Sequence, residues 1–143
     1  MNGQPAVSGE PAAGVLICDD HEMLRTLLTA IIAGAPGLRV VGEAADGIEA
    51  IDQAVRLHPD AILLDLAMPN RDGLSALPEL RRVAPGARII VFSGFAGAAV
   101  ADEAIALGAA SYLEKGADPL TIVATILQAL GETPAPASLA SPA

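Results

Sequence analysis

Aromatic residues are nearly absent: one Tyr, two Phe and no Trp in 143 residues. The core must therefore be built from Ala, Leu, Ile and Val, within a hydrophobic content of 52%. Basic residues are also scarce, 8 Lys and Arg against 17 Asp and Glu, for a net charge of −9. A segment of that sign lacks the basic footprint that phosphate backbones require, so direct nucleic-acid binding by it is not expected. The single cysteine, Cys18, excludes an internal disulfide. It sits in the first apolar run and reads as a small buried hydrophobe in a reducing compartment. No apolar stretch reaches the ~18 residues of a membrane crossing, and no basic start precedes an apolar signal core. A cytoplasmic protein without membrane contact is expected. The length suits one domain with enough core to fold without staples.

Segments 1–13 and 132–143 are rich in Pro, Ala, Ser and Gly and lack periodicity, as flexible tails do; the second reads equally as the start of a linker. Segment 14–131 is the expected folded domain. Within it, apolar runs at 15–18, 39–42, 61–66, 88–92 and 111–113 alternate with helical patterns. Several runs have no polar alternation, as expected of strands covered on both faces of a parallel sheet. From Glu22 to Ala33, Met23, Leu24, Leu27, Leu28, Ile31 and Ile32 follow the helical repeat. Asp46 and Glu49 have the spacing of a capping box, opening a helix that ends before His58-Pro59. Asp118-Pro119 pairs an N-cap with proline at the first helical position. The helix over 74–83 contains Pro78, which lacks an amide hydrogen, so it should begin late or hold Pro78 in its first turn. The stretch 98–107 is alanine-rich and weakly amphipathic. Five β-then-α units joined by right-handed crossovers give an α/β fold with helices on both faces of a parallel sheet.

Open α/β sheets bind ligands outside the carboxyl ends of their strands. Asp19 and Asp20 follow the first predicted strand, Asp65 stands at the third, Ser93 at the fourth and Lys115 after the fifth. Adjacent carboxylates at a buried strand end repel each other and need solvent, a cation or a basic group beside them. Asp20 alone could be a helix N-cap, which leaves Asp19 unexplained. Three carboxylates together form a hard oxygen site that suits Mg2+. A lysine and a hydroxyl beside such a site are the parts that stabilise a transferred phosphoryl group. Asp65, ending the most apolar strand near the sheet centre, is then the nucleophile that forms an acyl phosphate. His21 adjoins the acidic pair; because Mg2+ prefers oxygen, it reads as an exposed first-turn residue, and His58 as a surface residue. Lys115 should be removable at little cost in packing.

The motifs ICDDHEMLR, LLDLAMPNRDGL, IIVFSG and GAASYLEKG, in this order and spacing, resemble the receiver domain of two-component response regulators over 15–130. The resemblance implies a flavodoxin-like, doubly wound (βα)5 fold with strand order 2-1-3-4-5. It implies a phosphorylation-dependent switch rather than an enzyme, with Asp65 accepting the phosphoryl group from a sensor histidine kinase. Asp20, Asp65 and the backbone carbonyl of Ala67 would ligate Mg2+ directly, and Asp19 mainly through bound water. Lys115 and Ser93 would bind the phosphoryl group, and Ser93 with Tyr112 would carry the switch. Gly116 follows the lysine where the family often has a proline in a cis bond. DDHE and EKGAD look more like the subfamily whose receivers precede a helix-turn-helix domain, implying transcriptional control through an output domain absent from this chain. A single-domain regulator acting through protein contacts is the alternative. A receiver-like module independent of phosphorylation usually lacks an acidic residue or the lysine, and none is missing here. A phosphatase with an aspartyl-phosphate intermediate would carry its nucleophile on the first strand in a D-x-D pattern.

The last helical pattern, 119–130, contains no charged residue. Leu120, Val123, Leu127 and Leu130 can supply the stripe that covers the sheet. Ile122 and Ile126 then lie toward another side and are expected to form a homodimer or effector interface. In receivers the last helix is a common output face, so the resemblance points the same way.

Overall fold

The computed structural model of the chain describes residues 11–94 and 98–131. Five strands alternate with five helices: β1 (Ala13–Cys18), α1 (Glu22–Ala33), β2 (Leu38–Ala44), α2 (Gly47–Leu57), β3 (Ala61–Leu64), α3 (Gly73–Val83), β4 (Arg88–Ser93), α4 (Ala98–Ala106), β5 (Ser111–Glu114) and α5 (Pro119–Leu130). The strands form one parallel sheet in the order β2-β1-β3-β4-β5, the doubly wound arrangement that the resemblance implied. Ala13 already belongs to β1, its N–H donating to the Gly37 carbonyl at 2.8 Å, so the folded region starts one residue earlier than expected. Of the expected tails, segments 1–10 and 132–143 lie outside the described residues. None of the described helices is long and apolar enough to cross a membrane.

Successive strand residues point to opposite faces, and both faces are covered. Leu16, Cys18, Ile62, Leu64, Ile89 and Val91 pack with residues of α2, α3 and α4. Val15, Ile17, Leu63, Ile90 and Phe92 pack with residues of α1 and α5. Cys18 is a free, buried thiol, as its place in the first apolar run suggested.

Three helices open on an aspartate whose carboxylate accepts the N–H three residues on: Asp46 from Glu49, Asp72 from Ser75 and Asp118 from Thr121, each at 2.8 Å. Glu49 reaches back to the N–H of Ala45 at 2.6 Å, one residue before the cap. The first helix differs. Its N-cap is His21, without a side-chain cap, and Asp19 Oδ1 accepts the His21 N–H at 2.8 Å. Asp20 is therefore not the cap. In α3 the chain enters the helix at Gly73, which puts Pro78 in the second turn rather than the first. Two glycines permit close backbone approach. A side chain at Gly73 would strike the Asp65 carbonyl, and one at Gly47 the Arg71 carbonyl, whose oxygen accepts the Gly47 N–H at 2.8 Å.

The expected role of Ile122 and Ile126 as interface residues is corrected. Their exposures are 3% and 0%, and with Ala129 they face the sheet, whereas Leu120 is 83% exposed. Residues 122, 126 and 129 fall at i, i+4 and i+7, one helix face. Of the stripe expected to cover the sheet, Val123 and Leu130 pack at the edge of the core and Leu120 and Leu127 are exposed. The inward face is thus centred about one residue away from the expected one, a rotation that hydropathy cannot fix. The short connection from β5 decides it: Ala117 donates to the Glu114 carbonyl at 3.0 Å and Asp118 caps α5 at once. Ile126→Asp should therefore lower the melting midpoint by roughly 10 °C or more, because it buries an unpaired carboxylate. Leu120→Asp should leave thermal unfolding within about 2 °C of the parent, as exposed substitutions do.

Candidate functional site

The parallel register ends the central strands at one level. Cys18 pairs with Leu64 and Leu64 with Val91, so the next residues, Asp19 and Asp65, emerge side by side. Backbone bonds continue past the strands: the Asp65 N–H donates to the Cys18 carbonyl at 2.9 Å, and the Lys115 N–H to the Ser93 carbonyl at 3.0 Å. Asp19 and Asp65 are 1% and 2% exposed, and Ser93 is buried as well. The residues expected at the rim are thus brought together.

The Lys115 ammonium bridges the two buried carboxylates, 2.7 Å from Asp19 Oδ2 and 3.1 Å from Asp65 Oδ2. The shorter contact lies off the hydrogen-bonding angles, so Asp19 Oδ2 is an enclosed oxygen held by charge alone among the described residues. Asp65 Oδ1 accepts the N–H of Ala67 at 3.1 Å, which turns the β3–α3 loop over the carboxylate. The stem of Lys115 lies against Gly94, where an added methyl group would be in contact with it. Burial raises the Asp65 pKa above the ordinary carboxylate value, helped by the Asp19 charge and opposed by the Ala67 amide and the Lys115 ammonium. Burial pulls Lys115 down, but its ion pairs with Asp19 and Asp65 and its hydrogen bond to Asp65 outweigh that and leave its pKa raised. The expectation that Lys115 is removable at little cost is amended accordingly: its one positive charge is shared between two buried acids.

Carboxylate oxygens of Asp19, Asp20 and Asp65 and the Nδ1 of His21 all lie within 4.8 Å of one another. Three hard oxygens, one from each of Asp19, Asp20 and Asp65, fit a small divalent cation. His21 is exposed as expected, yet its Nδ1 stands 3.2 Å from oxygens of both Asp19 and Asp20. Tyr112 is half-buried against the α2–α4 face, with its hydroxyl enclosed and unbonded among the described residues. His58 is remote from the rim, ending α2 with a left-handed φ of 49°.

Sequence reasoning missed two supporting groups. Arg25 donates through Nη1 to the Asp19 carbonyl at 2.7 Å. Asn70, at a positive φ of 63°, donates to Asp46 Oδ2 at 2.7 Å and ties the β3–α3 loop to the start of α2. The turn-forming run Pro-Asn-Arg-Asp-Gly marked the second; a cation in the first turns of a helix, against its dipole, marked the first.

The sequence profile of the response regulator receiver domain matches residues 15–127. The chain is 41% identical over 123 residues to the nitrate/nitrite response regulator protein NarL of Escherichia coli, covering 86% of this chain and 57% of that protein. It is 43% identical over 101 residues to the transcriptional regulatory protein LiaR of Bacillus subtilis, covering 71% of this chain and 48% of that protein. The chain thus spans about half the length of these curated relatives. A LuxR-family two-component response regulator from Aurantimonas superposes with a TM-score of 0.80 at 34% identity, over 85% of this chain and 86% of that one.

The charge arrangement predicts opposite effects on stability. A raised Asp65 pKa means that the folded state holds this proton more tightly, so the group favours folding when protonated and penalises it as pH rises through the raised value. In EDTA at neutral pH, Asp65→Asn should raise the melting midpoint by roughly 2–4 °C, an advantage that shrinks as pH falls through the raised Asp65 value and is largely gone by about pH 4, where the unfolded chain binds this proton too. Lys115→Ala should lower it by about 5 °C at neutral pH, because two buried carboxylates lose their counter-ion. Melting curves across pH check both signs.

Proposed function

The chain belongs to the response regulator receiver domain family, and from that premise we propose that it is a signalling switch phosphorylated on Asp65 by a sensor histidine kinase. The observation that carries the reading is the Lys115 ammonium shared between Asp19 and Asp65 at the end of the central strands. One Asp65 oxygen forms the new P–O bond as the P–N bond to the donor histidine breaks, giving an acyl phosphate. Lys115 then exchanges a carboxylate partner for phosphoryl oxygens, a charge-assisted contact for which it is already positioned. Asp19, Asp20, Asp65 and the Ala67 carbonyl would hold Mg2+, Asp19 mainly through water, and the cation would supply positive charge to the phosphoryl oxygens.

Ser93 ends the strand beside Lys115 and is the hydroxyl assigned to the phosphoryl group. Tyr112, packed against α4-side residues with an unbonded hydroxyl, is assigned to the readout of that change. A new group of charge near −2 with three acceptor oxygens recruits nearby donors and biases a loop with two arrangements. The relatives NarL and LiaR, named as a response regulator and a transcriptional regulatory protein, support control of transcription as the output.

Incubation with acetyl phosphate and Mg2+ should add one phosphoryl group, detected as one mass increment. Asp65→Asn or EDTA should abolish it. Label that persists in Asp65→Asn, or that maps to His21 or His58, would overturn the assignment.

A further inference from the structure

Arg25 lies just past the first turn of α1, and helical side chains lean toward the N-terminus, which carries its guanidinium back over the β1–α1 loop. There Nη1 donates to the Asp19 carbonyl at 2.7 Å and Nε to Glu43 Oε1 at 2.9 Å. The other Glu43 oxygen accepts from Thr29 Oγ1 at 3.4 Å, so β2 and α1 both anchor the fork. The Arg25 side chain is only 17% exposed.

Two electrostatic terms oppose a cation at this place: the positive end of the helix dipole and the divalent cation proposed for the acid pair. The grip on the Asp19 carbonyl gives it a purpose. That carbonyl begins the peptide leading to Asp20, and the Asp20 carboxylate has among the described residues only the exposed His21 ring as an ion-pair partner, at 3.2 Å. The direction of Asp20 therefore depends on its backbone, and Arg25 holds that backbone.

We propose that Arg25 is a positioning residue for the Mg2+-binding acid pair, acting through the Asp19–Asp20 peptide and anchored by Glu43. This rests on the Mg2+ reading above. Its signature is a sign. If Arg25 acted only as a nearby charge, removing it would tighten Mg2+ binding, and Lys would substitute without effect. A positioning role predicts the opposite in both variants, because an ammonium is a single point donor and cannot hold the carbonyl and Glu43 together in fork geometry.

Calorimetric titration of Mg2+ into the unphosphorylated chain, at fixed ionic strength, provides the test, with circular dichroism melting as the control for folding. Arg25→Ala should bind Mg2+ about 5- to 10-fold more weakly and Arg25→Lys about 3-fold more weakly, as the loss of one charge-assisted hydrogen bond implies. Equal or tighter binding by Arg25→Ala, or wild-type affinity in Arg25→Lys, would overturn the proposal while leaving the Mg2+ reading intact. Should Arg25→Ala fail to fold, the affinity of Arg25→Lys decides between the two roles alone. Wild-type chain that takes up no Mg2+ would overturn both readings.

Discussion

Two buried carboxylates at the ends of adjacent strands impose the main constraint on this molecule. Asp19 and Asp65 emerge side by side because β1 and β3 pair in register up to Cys18 and Leu64. Neither is accessible to water to any useful extent, so their repulsion must be met from within the protein. Lys115 meets it, arriving from the far side of β4 on the end of β5. The site is thus assembled from three strands distant in sequence, and its parts have value only together. A cation between two acids is also a cation that can change partners, which connects the resting electrostatics to the proposed phosphoryl chemistry.

The loops around this cluster are held by backbone geometry more than by side-chain bulk. Gly73 lets the start of α3 press against the Asp65 carbonyl, and Gly47 lets the start of α2 press against Arg71. The Asp46–Asn70 hydrogen bond joins those two turns, and the Ala67 amide closes over Asp65. On the opposite side, α1 begins without a side-chain cap of its own. Asp19 supplies the acceptor for the His21 N–H instead, and Arg25 takes the Asp19 carbonyl. Both acid-bearing loops are therefore restrained from outside the cluster, as preorganised sites require.

Much of the fold was legible along the chain because its signals are local. Apolar runs without alternation marked the strands, and the caps Asp46 and Asp118 marked helix starts within a residue of where α2 and α5 begin. The rim residues were legible for a topological reason: a parallel sheet places all strand ends at one edge, so the residues just after each strand are already the members of the site. Pro78 was misplaced because proline removes one hydrogen bond without dictating which turn does without it; α3 accommodates it in the second. Asp20 was read as a possible cap because cap preference is a statement about residue type, whereas the cap is set by which N–H a carboxylate can reach. Arg25 went unnoticed because its place against the helix dipole marks it only as unusual, while the Asp19 carbonyl that it holds leaves no mark in composition.

What the sequence by itself determined is the order of the elements, the two-sided burial of the sheet and the inventory of groups at its carboxyl edge. Each of these follows from periodicity, from local capping chemistry or from strand-end position. Only the tertiary structure decided the rotation of α5. Its apolar residues surround most of the helix, and the turn from Glu114 to Asp118 sets a rotation that centres Ile122 and Ile126 on the core, with Val123 and Leu130 at its edge. It decided also that Lys115 is a half-buried counter-ion and not a cheaply removed side chain. That distinction depends on two carboxylates lying within 2.7 and 3.1 Å of one ammonium, a coincidence of three strands that no single stretch of chain contains.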